Sequence, residues 1–328
     1  MRLALAVDGG NSKTDAALVR EDGALLGVAR GGGSSPHHLG PAAALDVIGS
    51  LVDELDPPEQ PATAELLLAG VDFPDEEQEL ERLACERAWA VSLQVRNDTY
   101  AVLRAGTDRG WGVAVVCGAG INCLGVTSTG REARFPALGP ITGDWGGGYD
   151  LGQEALFAAA RSEDGRGART QLERSIPEHF GLETPSDLAH AIHRGRVAQS
   201  RLTEVAPVVM ALAADDAVAA SIVARLVAEV VAFVRVAVSR LDLESERFDV
   251  VLGGGLLQHG DAELVAEIAA GVHDTAPHAS VRPTAAPAVL GSALLALDHL
   301  GAGADARARL RRELDEHIAA VTIGDADA

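Results

Sequence analysis

The chain has 328 residues, of which 47% are hydrophobic and 23% charged, and its formal net charge at pH 7 is −21. This length favours two domains, and the composition is typical of a globular protein. The negative charge and the absence of a basic cluster argue against nucleic acid or an anionic membrane as a partner. No apolar run reaches the roughly 18 to 20 residues of a membrane span, and the N-terminus lacks the apolar core of a signal peptide, so we expect a cytoplasmic protein.

The first 110 residues are predicted to form one α/β unit. Short apolar runs separated by Gly, Asn and Asp clusters indicate an antiparallel meander of three strands. Strands and helices then alternate, which places the later strands parallel beside the meander. The predicted elements are strands at residues 3–7, 16–19 and 25–29, a helix at Pro41–Leu55, a strand at 65–69, a helix at 75–89 and a strand at 91–95.

Residues 111–286 are predicted to form a second, related α/β unit with a long helical insertion. We expect the helix at 287–300 to pack back on the first unit, and residues 301–328 to form a helical tail that Asp305 caps. The predicted elements of the second unit are strands at 111–116 and 121–127, a mostly helical section at 148–241, a strand at 248–252, a helix at 262–270 and a strand at 280–282.

Three glycine-rich turns each follow a predicted strand. Such turns let backbone N–H groups approach phosphate oxygens without side chains in the way. None matches a Walker A loop or the dinucleotide-binding fingerprint, and each alone is a weak signal. The first two are also compatible with ordinary hairpin turns, whereas a structural turn rarely needs the three glycines of the third. The candidate phosphate-binding residues are Gly9, Gly10, Asn11, Ser12, Lys13 and Thr14 in the first turn, Gly118, Ala119 and Gly120 in the second, and Gly253, Gly254 and Gly255 in the third.

The first turn also carries two charged groups suited to a phosphate ligand. Asp8 lies at the end of the preceding strand, where its carboxylate can hold Mg²⁺ through water. Lys13 is the only lysine among the 27 basic residues of the chain, and its ammonium group can meet a phosphate. The sequence therefore predicts a phosphate site with Asp8 as the metal ligand.

Asn97 and Asp98 lie where a predicted strand ends and a helix at residues 99–105 begins. A carboxylate at this position can accept the proton of an acceptor hydroxyl during phosphoryl transfer. An aspartate is also a common helix cap, and position alone favours the cap. A second unusual segment, residues 143–148, surrounds Asp144 and Trp145 with glycines just before another predicted helix.

The order and context of these motifs resemble the actin-like ATPase superfamily. The shared features are an N-terminal Asp-Gly-Gly-x-x-Lys-Thr hairpin, an Asn-Asp pair before a helix, a Gly-x-Gly-x-Asn hairpin and a late Gly-Gly-Gly. Over residues 3–300 the sequence resembles the N-acetylglucosamine kinase branch of the BadF/BadG/BcrA/BcrD ATPases. The resemblance implies an α/β protein with two actin-like (ribonuclease H-like) lobes around a central nucleotide and sugar cleft. It also implies ATP and Mg²⁺ as cofactors, and phosphoryl transfer to the 6-hydroxyl of N-acetylglucosamine.

The resemblance further implies roles for residues on the acceptor side. Asp98 corresponds to the catalytic aspartate, which also contacts the acceptor, and Asp144 and Asn122 correspond to residues that bind sugar hydroxyls. Trp145 is suited to stack on a sugar face or to pack internally. Ser35 stands where related kinases carry an asparagine that touches the acceptor. Because serine is shorter and has fewer hydrogen-bonding sites, the identity of the sugar stays open.

Other functions also stay open on the sequence alone. The acceptor could be glucosamine or N-acetylmuramic acid, and related ATPases activate enzymes of the CoA-dehydratase or reductase type through a bridging iron–sulfur cluster. A non-catalytic sugar sensor is a third alternative. We expect Cys85, Cys117 and Cys123 to be buried free thiols, which does not suit a shared cluster. The expected partner is a small-molecule amino sugar, and a homodimer is compatible with the sequence.

Overall fold

The computed structural model describes residues 1–258 and 262–326. These residues divide into two compact units. The first consists of Met1–Trp111 together with the described residues from Thr284 onward, and the second consists of the described residues of Gly112–Pro283. Positions 327 and 328 of the predicted tail lie outside the described residues.

The strands and helices have the following bounds. The strands are β1 (Leu3–Gly9), β2 (Lys13–Arg20), β3 (Leu25–Gly32), β4 (Thr63–Leu68), β5 (Ser92–Asn97), β6 (Gly112–Cys117), β7 (Ile121–Val126), β8 (Glu132–Arg134), β9 (Asp249–Gly253) and β10 (Ser280–Pro283). The α-helices are α1 (Pro36–Leu39), α2 (Pro41–Leu55), α3 (Pro74–Cys85), α4 (Thr99–Gly106), α5 (Gly147–Glu163), α6 (Leu172–His179), α7 (Pro185–His193), α8 (Ala206–Leu212), α9 (Ala217–Leu241), α10 (Gly255–Gln258), α11 (Ala262–His273), α12 (Ala288–His299) and α13 (Ala304–Ala326). Short 3₁₀ turns lie at Gly139–Ile141 and Gln199–Val205.

The first unit is built on a five-stranded sheet in the order β3-β2-β1-β4-β5. The first three strands form the predicted antiparallel meander, and β4 and β5 run parallel to β1. Asp8 pairs with Leu67, and Leu68 pairs with Asn97. Because the carboxyl ends of parallel strands lie at one edge of a sheet, the chain segments that follow β1, β4 and β5 are brought together there.

Helices cover both faces of this sheet. On one face, Ile48 of α2 and Leu80 of α3 pack in a cluster with Val7 and other strand residues. On the opposite face, Leu294 of α12 and Leu310 of α13 pack in a second cluster with alanines and valines of β1 and β2. Alternate residues of β1 supply the two clusters, as the period of a strand requires. The result is a three-layer α/β/α unit to which the C-terminal helices return.

The second unit repeats the sheet order of the first, as β10-β9-β6-β7-β8. Strands β6, β7 and β8 form an antiparallel meander, and β9 and β10 run parallel to β6. Val116 near the end of β6 pairs with Gly253 at the end of β9. The turn after β6 and the turn after β9 therefore lie side by side.

Helix α9 is the one helix in the described part of the chain that is long and apolar enough to cross a membrane. Its buried residues recur at helical spacing and include Leu226, Val230 and Val234, whereas Arg225 and Arg235 are exposed. This pattern is that of an amphipathic helix packed inside a folded unit.

Most predicted elements are present within a few residues, and the exceptions have local causes. Strand β8 was missed because three residues are too few to show a period of two. The loop that follows β3 contains α1, a single turn that begins at Pro36. The prediction that Asp305 caps the last helix is wrong, since α13 begins at Ala304 and Asp305 lies in its first turn. An acidic side chain in that turn still suits the positive end of the helix dipole.

Candidate active site

The glycine-rich turn between β1 and β2 is fixed by backbone hydrogen bonds. Gly10 donates its N–H to the carbonyl of Lys13 at 2.9 Å, and Ser34 donates its N–H to the carbonyl of Gly10 at 3.1 Å. Thr14 is buried, and its hydroxyl donates to Oγ of Ser34 at 2.8 Å. Residues 11–12 form the exposed tip. The loop after β3 therefore supports the turn, and the Thr14 hydroxyl faces protein in this structure.

Asp8 lies opposite Asp15 in the antiparallel pair of β1 and β2. Asp15 is neutralised by two cations, with Nζ of Lys13 at 3.1 Å from Oδ2 and Nε of Arg30 at 2.5 Å from Oδ1. The pKa of Asp8 is raised to about 8, mainly by burial and also by the nearby carboxylates of Asp98 and Asp15, whereas Lys13 opposes the shift. The Asp8 carboxyl group therefore holds its proton at neutral pH in the absence of a cation.

The surroundings of Asp8 fit a magnesium ion that is bound mainly by water and phosphate. No group of three or more His, Cys, Asp or Glu side chains within residues 1–258 and 262–326 is arranged to hold a metal. Mg²⁺ bound with a nucleotide needs only one or two carboxylates, because it keeps several waters and contacts the phosphates. A cation beside Asp8 would stabilise the carboxylate form that burial and negative neighbours now disfavour.

Asp98 follows β5 directly and precedes α4. Its side chain makes no capping hydrogen bond to the helix. Asn97 supplies that bond instead, since its Oδ1 accepts the N–H of Thr99 at 3.0 Å and the hydroxyl of Thr99 at 2.7 Å. Burial raises the pKa of Asp98 to about 6, although the backbone N–H groups of Asp98 and Thr99 oppose the shift. A carboxyl group with this pKa is suited to proton transfer near neutral pH.

Ser35 lies at the start of α1 and is 1% exposed. Its hydroxyl Oγ has no hydrogen-bond partner in the structure. A Cβ atom at Gly70 would lie 3.0 Å from this Oγ and 2.9 Å from Cβ of His37, so the loops after β3 and β4 are in close contact. A buried hydroxyl without a partner costs free energy, and a ligand hydroxyl or amide could satisfy it.

In the second unit, the turn between β6 and β7 contacts the predicted glycine-rich segment that precedes α5. Gly148 at the start of α5 donates its N–H to the carbonyl of Gly118 at 2.8 Å. A Cβ atom at Gly147 would lie 2.5 Å from the carbonyl oxygen of Ala119 and from atoms of Gly120. The turn and the glycines before α5 are therefore in direct backbone contact.

The three glycines at the end of β9 have different environments. Gly253 is buried and ends the strand, whereas Gly255 is exposed and begins α10. Gly254, between them, has a φ of +79°, and a Cβ there would lie 2.5 Å from the carbonyl carbon and oxygen of Cys117. This glycine is therefore required by the close approach of two backbone segments.

Asp144 and Trp145 lie in the loop before α5. The carboxylate of Asp144 accepts the N–H of Gly139 at 2.7 Å and the hydroxyl of Thr142, so it also shapes its own loop. The guanidinium group of Arg225 lies 4.0 Å from the centroid of the Trp145 ring. One face of the indole is thus in contact with a cation.

Asn122 and two cysteines lie in the β6–β7 hairpin. Oδ1 of Asn122 accepts the N–H of Cys123 at 2.7 Å. Cys117 and Cys123 are buried, and burial raises the pKa of Cys117 to about 12 and also raises that of Cys123. Cys85 is exposed. The prediction of buried thiols is confirmed for the two hairpin cysteines and wrong for Cys85, which lies at the end of α3.

Sequence reasoning did not single out Asp15 or assign a role to the side chain of Asn97. Asp15 could have been found from the hairpin, because Asp8 and Asp15 are placed symmetrically about the turn and must face each other. The two groups that accept from Nδ2 of Asn97 lie 25 and 26 residues earlier in the chain, so the spacing of residues around Asn97 does not reveal them.

The fold matches that of known sugar-kinase structures. The crystal structure of a putative N-acetylglucosamine kinase from Chromobacterium violaceum is similar with a TM-score of 0.71 and 23% sequence identity, over 90% of this chain and 99% of that chain. Both units have the same mixed sheet order, so the predicted class of an α/β protein with two actin-like units is confirmed. The model of the BadF/BadG/BcrA/BcrD ATPase family matches residues 5–296. The chain belongs to this family, which implies that it uses ATP.

Two characterised relatives have names that specify a substrate. An N-acetylmuramic acid/N-acetylglucosamine kinase from Clostridium acetobutylicum is 28% identical over 272 residues, covering 79% of this chain and 87% of the relative. An N-acetyl-D-glucosamine kinase from Dictyostelium discoideum is 23% identical over 314 residues, covering 90% of this chain and 97% of the relative.

Proposed function

We propose that the protein is an ATP-dependent kinase that phosphorylates the 6-hydroxyl of N-acetylglucosamine, giving the sugar 6-phosphate and ADP. The observation that carries the proposal is the position of Asp98 at the sheet edge of the first unit, near Asp8 and the glycine-rich turn. Its carboxyl group is free of a capping role and has a pKa of about 6. The names of the two relatives support an amino sugar as the acceptor.

Asp98 is the general base of the proposed reaction. Its carboxylate accepts the proton of the 6-hydroxyl as that oxygen forms a bond to the γ-phosphorus of ATP. The bond between the γ-phosphorus and the bridging oxygen breaks, and ADP leaves with the electron pair. A pKa near 6 leaves most Asp98 side chains ionised at neutral pH and still basic enough to accept a proton.

The glycine-rich turns would hold the phosphates of ATP. In the first unit the backbone of residues 9–14 and the ammonium group of Lys13 would bind phosphate oxygens, and in the second unit the backbone of residues 118–120 and 253–255, where every residue except Ala119 is glycine, would do the same. Asp8 would hold Mg²⁺ through water. When bound, the metal would neutralise charge on the phosphates. The proposal includes Mg²⁺ and a cytoplasmic location, where ATP and a soluble sugar are both present.

The residues that would bind the acceptor sugar are proposed from the chemistry of each side chain. The unpartnered hydroxyl of Ser35 would bond a polar group of the sugar. Asp144 and Asn122 would bind sugar hydroxyls, and the indole face of Trp145 opposite Arg225 would stack on the ring.

N-Acetylmuramic acid remains the nearest alternative acceptor, because one relative acts on both sugars by name. The buried positions and raised pKa values of Cys117 and Cys123 disfavour the alternative of an iron–sulfur ATPase activator, since a thiolate is the form that binds iron.

The test is ADP release from Mg·ATP with N-acetylglucosamine, glucosamine, N-acetylmuramic acid, glucose or no sugar. We expect N-acetylglucosamine to stimulate release most strongly, and Asp98→Asn to abolish the stimulation. Asp53→Asn, on the exposed face of α2, is the matched control for the same chemical change and should retain full activity. Release that is independent of every sugar would contradict the proposal and favour an ATPase.

A further inference from the structure

Asn97 connects the end of β5 to the loop after β4 through both ends of its amide group. Its Oδ1 accepts the N–H and hydroxyl of Thr99, at 3.0 and 2.7 Å. Its Nδ2 donates to Oδ1 of Asp72 at 2.9 Å and to the carbonyl of Val71 at 3.2 Å. Two donors face one end and two acceptors face the other, so a single amide orientation satisfies all four. The side chain is buried, which shields these bonds from water.

The loop that Asn97 contacts is itself anchored to α3. Oε2 of Glu76 accepts the N–H of Asp72 at 2.9 Å and the N–H of Phe73 at 3.1 Å. A continuous series of hydrogen bonds thus runs from α3 through the loop and Asn97 to Thr99. Asp98 lies in the chain between Asn97 and Thr99, the last two residues of that series.

We propose that Asn97 is a positioning residue that holds the carboxylate of Asp98 in its working orientation, with Asp72 as the anchor. This inference rests on the proposed function, in which Asp98 is the base. Asn97 precedes Asp98 and Thr99 follows it, so the bond between their side chains fixes the backbone on both sides of the base. A displacement of about 1 Å in a reacting group can lower a rate about 100-fold.

The pairing requires an amide at position 97 and an acceptor at position 72. An aspartate at position 97 would still accept the hydrogen bonds from Thr99. Its second carboxylate oxygen, however, would face the carboxylate of Asp72, and the hydrogen bond to the carbonyl of Val71 would be lost. Exchanging the two side-chain types restores one donor facing one acceptor without changing the net charge. That exchange allows the contact to be tested separately from the presence of each residue.

The experiment measures kcat and KM for wild type, Asn97→Asp, the exchange variant Asn97→Asp/Asp72→Asn, and the control Asn97→Asp/Asp75→Asn. Asp75 is exposed at the start of α3, so the control removes the same charge without restoring the contact. We expect Asn97→Asp to lower kcat about 10- to 100-fold while both KM values change less than about threefold. The kcat of the exchange variant should be at least about tenfold higher than that of Asn97→Asp, and the kcat of the control should equal that of Asn97→Asp.

A folded Asn97→Asp protein with wild-type kcat would overturn the inference, and so would equal recovery by the control. If Asn97→Asp alone does not fold, the exchange variant decides. A kcat within about tenfold of wild type supports the pairing, whereas a folded protein as slow as Asp98→Asn overturns it. Wild type is measured with N-acetylglucosamine in the same assay. Failure of the wild type to make a sugar phosphate would overturn the proposed function, and this inference with it. Normal wild-type turnover with unaffected variants would overturn the inference alone.

Discussion

Replacing Gly254 by alanine should destabilise the second unit and weaken nucleotide binding, although only one methyl group is added. Gly254 has a φ of +79°, and the new Cβ would lie 2.5 Å from the carbonyl carbon and oxygen of Cys117 and 2.7 Å from its nitrogen. These neighbours are backbone atoms of β6, which cannot move aside as the end of a side chain can. The strand end or the turn that follows it must therefore shift.

The magnitude follows from two contributions. The left-handed conformation costs an L-residue about 1–2 kcal/mol, and an overpacked contact costs typically about 1–3 kcal/mol, so we expect a loss of about 2–5 kcal/mol in the free energy of unfolding. For a domain of about 150–250 residues each kcal/mol lowers Tm by about 2–4 °C, so the decrease should be at least about 4 °C.

Thermal unfolding and the KM for ATP test this prediction together. Gly255→Ala is the matched control for Tm, because it is the next residue in the same motif, lies in α10 and would place its Cβ in open space. It should leave Tm unchanged or raise it slightly, since alanine favours a helix by up to about 1 kcal/mol. A Gly254→Ala protein with wild-type Tm and wild-type KM for ATP would show that the close approach of Gly254 to Cys117 does not require glycine.

Three further predictions follow from single contacts. Ser35→Ala removes an unpartnered hydroxyl, so Tm should not fall while the KM for the sugar rises about tenfold; a lower Tm with an unchanged KM would contradict this. The ion pair with buried Glu65 raises the pKa of His299, so its stabilisation is present below about pH 6.5 and is lost as pH rises through the raised pKa. The Tm gap between wild type and His299→Gln should therefore be larger at pH 6 than at pH 9, and a gap that widens with pH would oppose the assignment. Gly23→Ala would place a Cβ 2.0 Å from the carbonyl oxygen of Ala306, so it should displace α13 and lower the free energy of unfolding by at least about 1–2 kcal/mol, as measured in urea.

The features of the fold that the sequence predicted are those with local signals. The turns at Gly9 and Gly118 lie between short apolar runs, and turn chemistry alone predicts their hairpins. The parallel direction of the later strands, beside the meander, followed from the alternation of strands and helices. The short strand β8 and the one-turn helix α1 lack a repeating pattern, and the start of α13 was misplaced by one residue because two neighbouring residues at Ala304 and Asp305 are both compatible with a helix start.

The candidate site was predictable where a motif is contiguous and not where it depends on tertiary contact. The position of Asp98 before a helix favoured a cap and the family resemblance favoured a base, but only the structure assigns the helix-capping bond to Asn97. The burial of Thr14 against Ser34 depends on how the loop after β3 folds over the turn. The contact between Asn97 and Asp72 depends on the register of β4 and β5, which sequence periodicity does not fix to one residue.

The most direct test of the central claim is to identify the product that wild type and Asp98→Asn form from Mg·ATP and N-acetylglucosamine. Mass spectrometry would detect the added phosphoryl group, and NMR would locate it. We expect N-acetylglucosamine 6-phosphate in equal amount to ADP from wild type, at a rate roughly 10² to 10⁴ times that of Asp98→Asn. ADP accompanied by free phosphate and unmodified sugar would contradict the proposed kinase reaction, and equal rates from the two proteins would contradict the role of Asp98 as base.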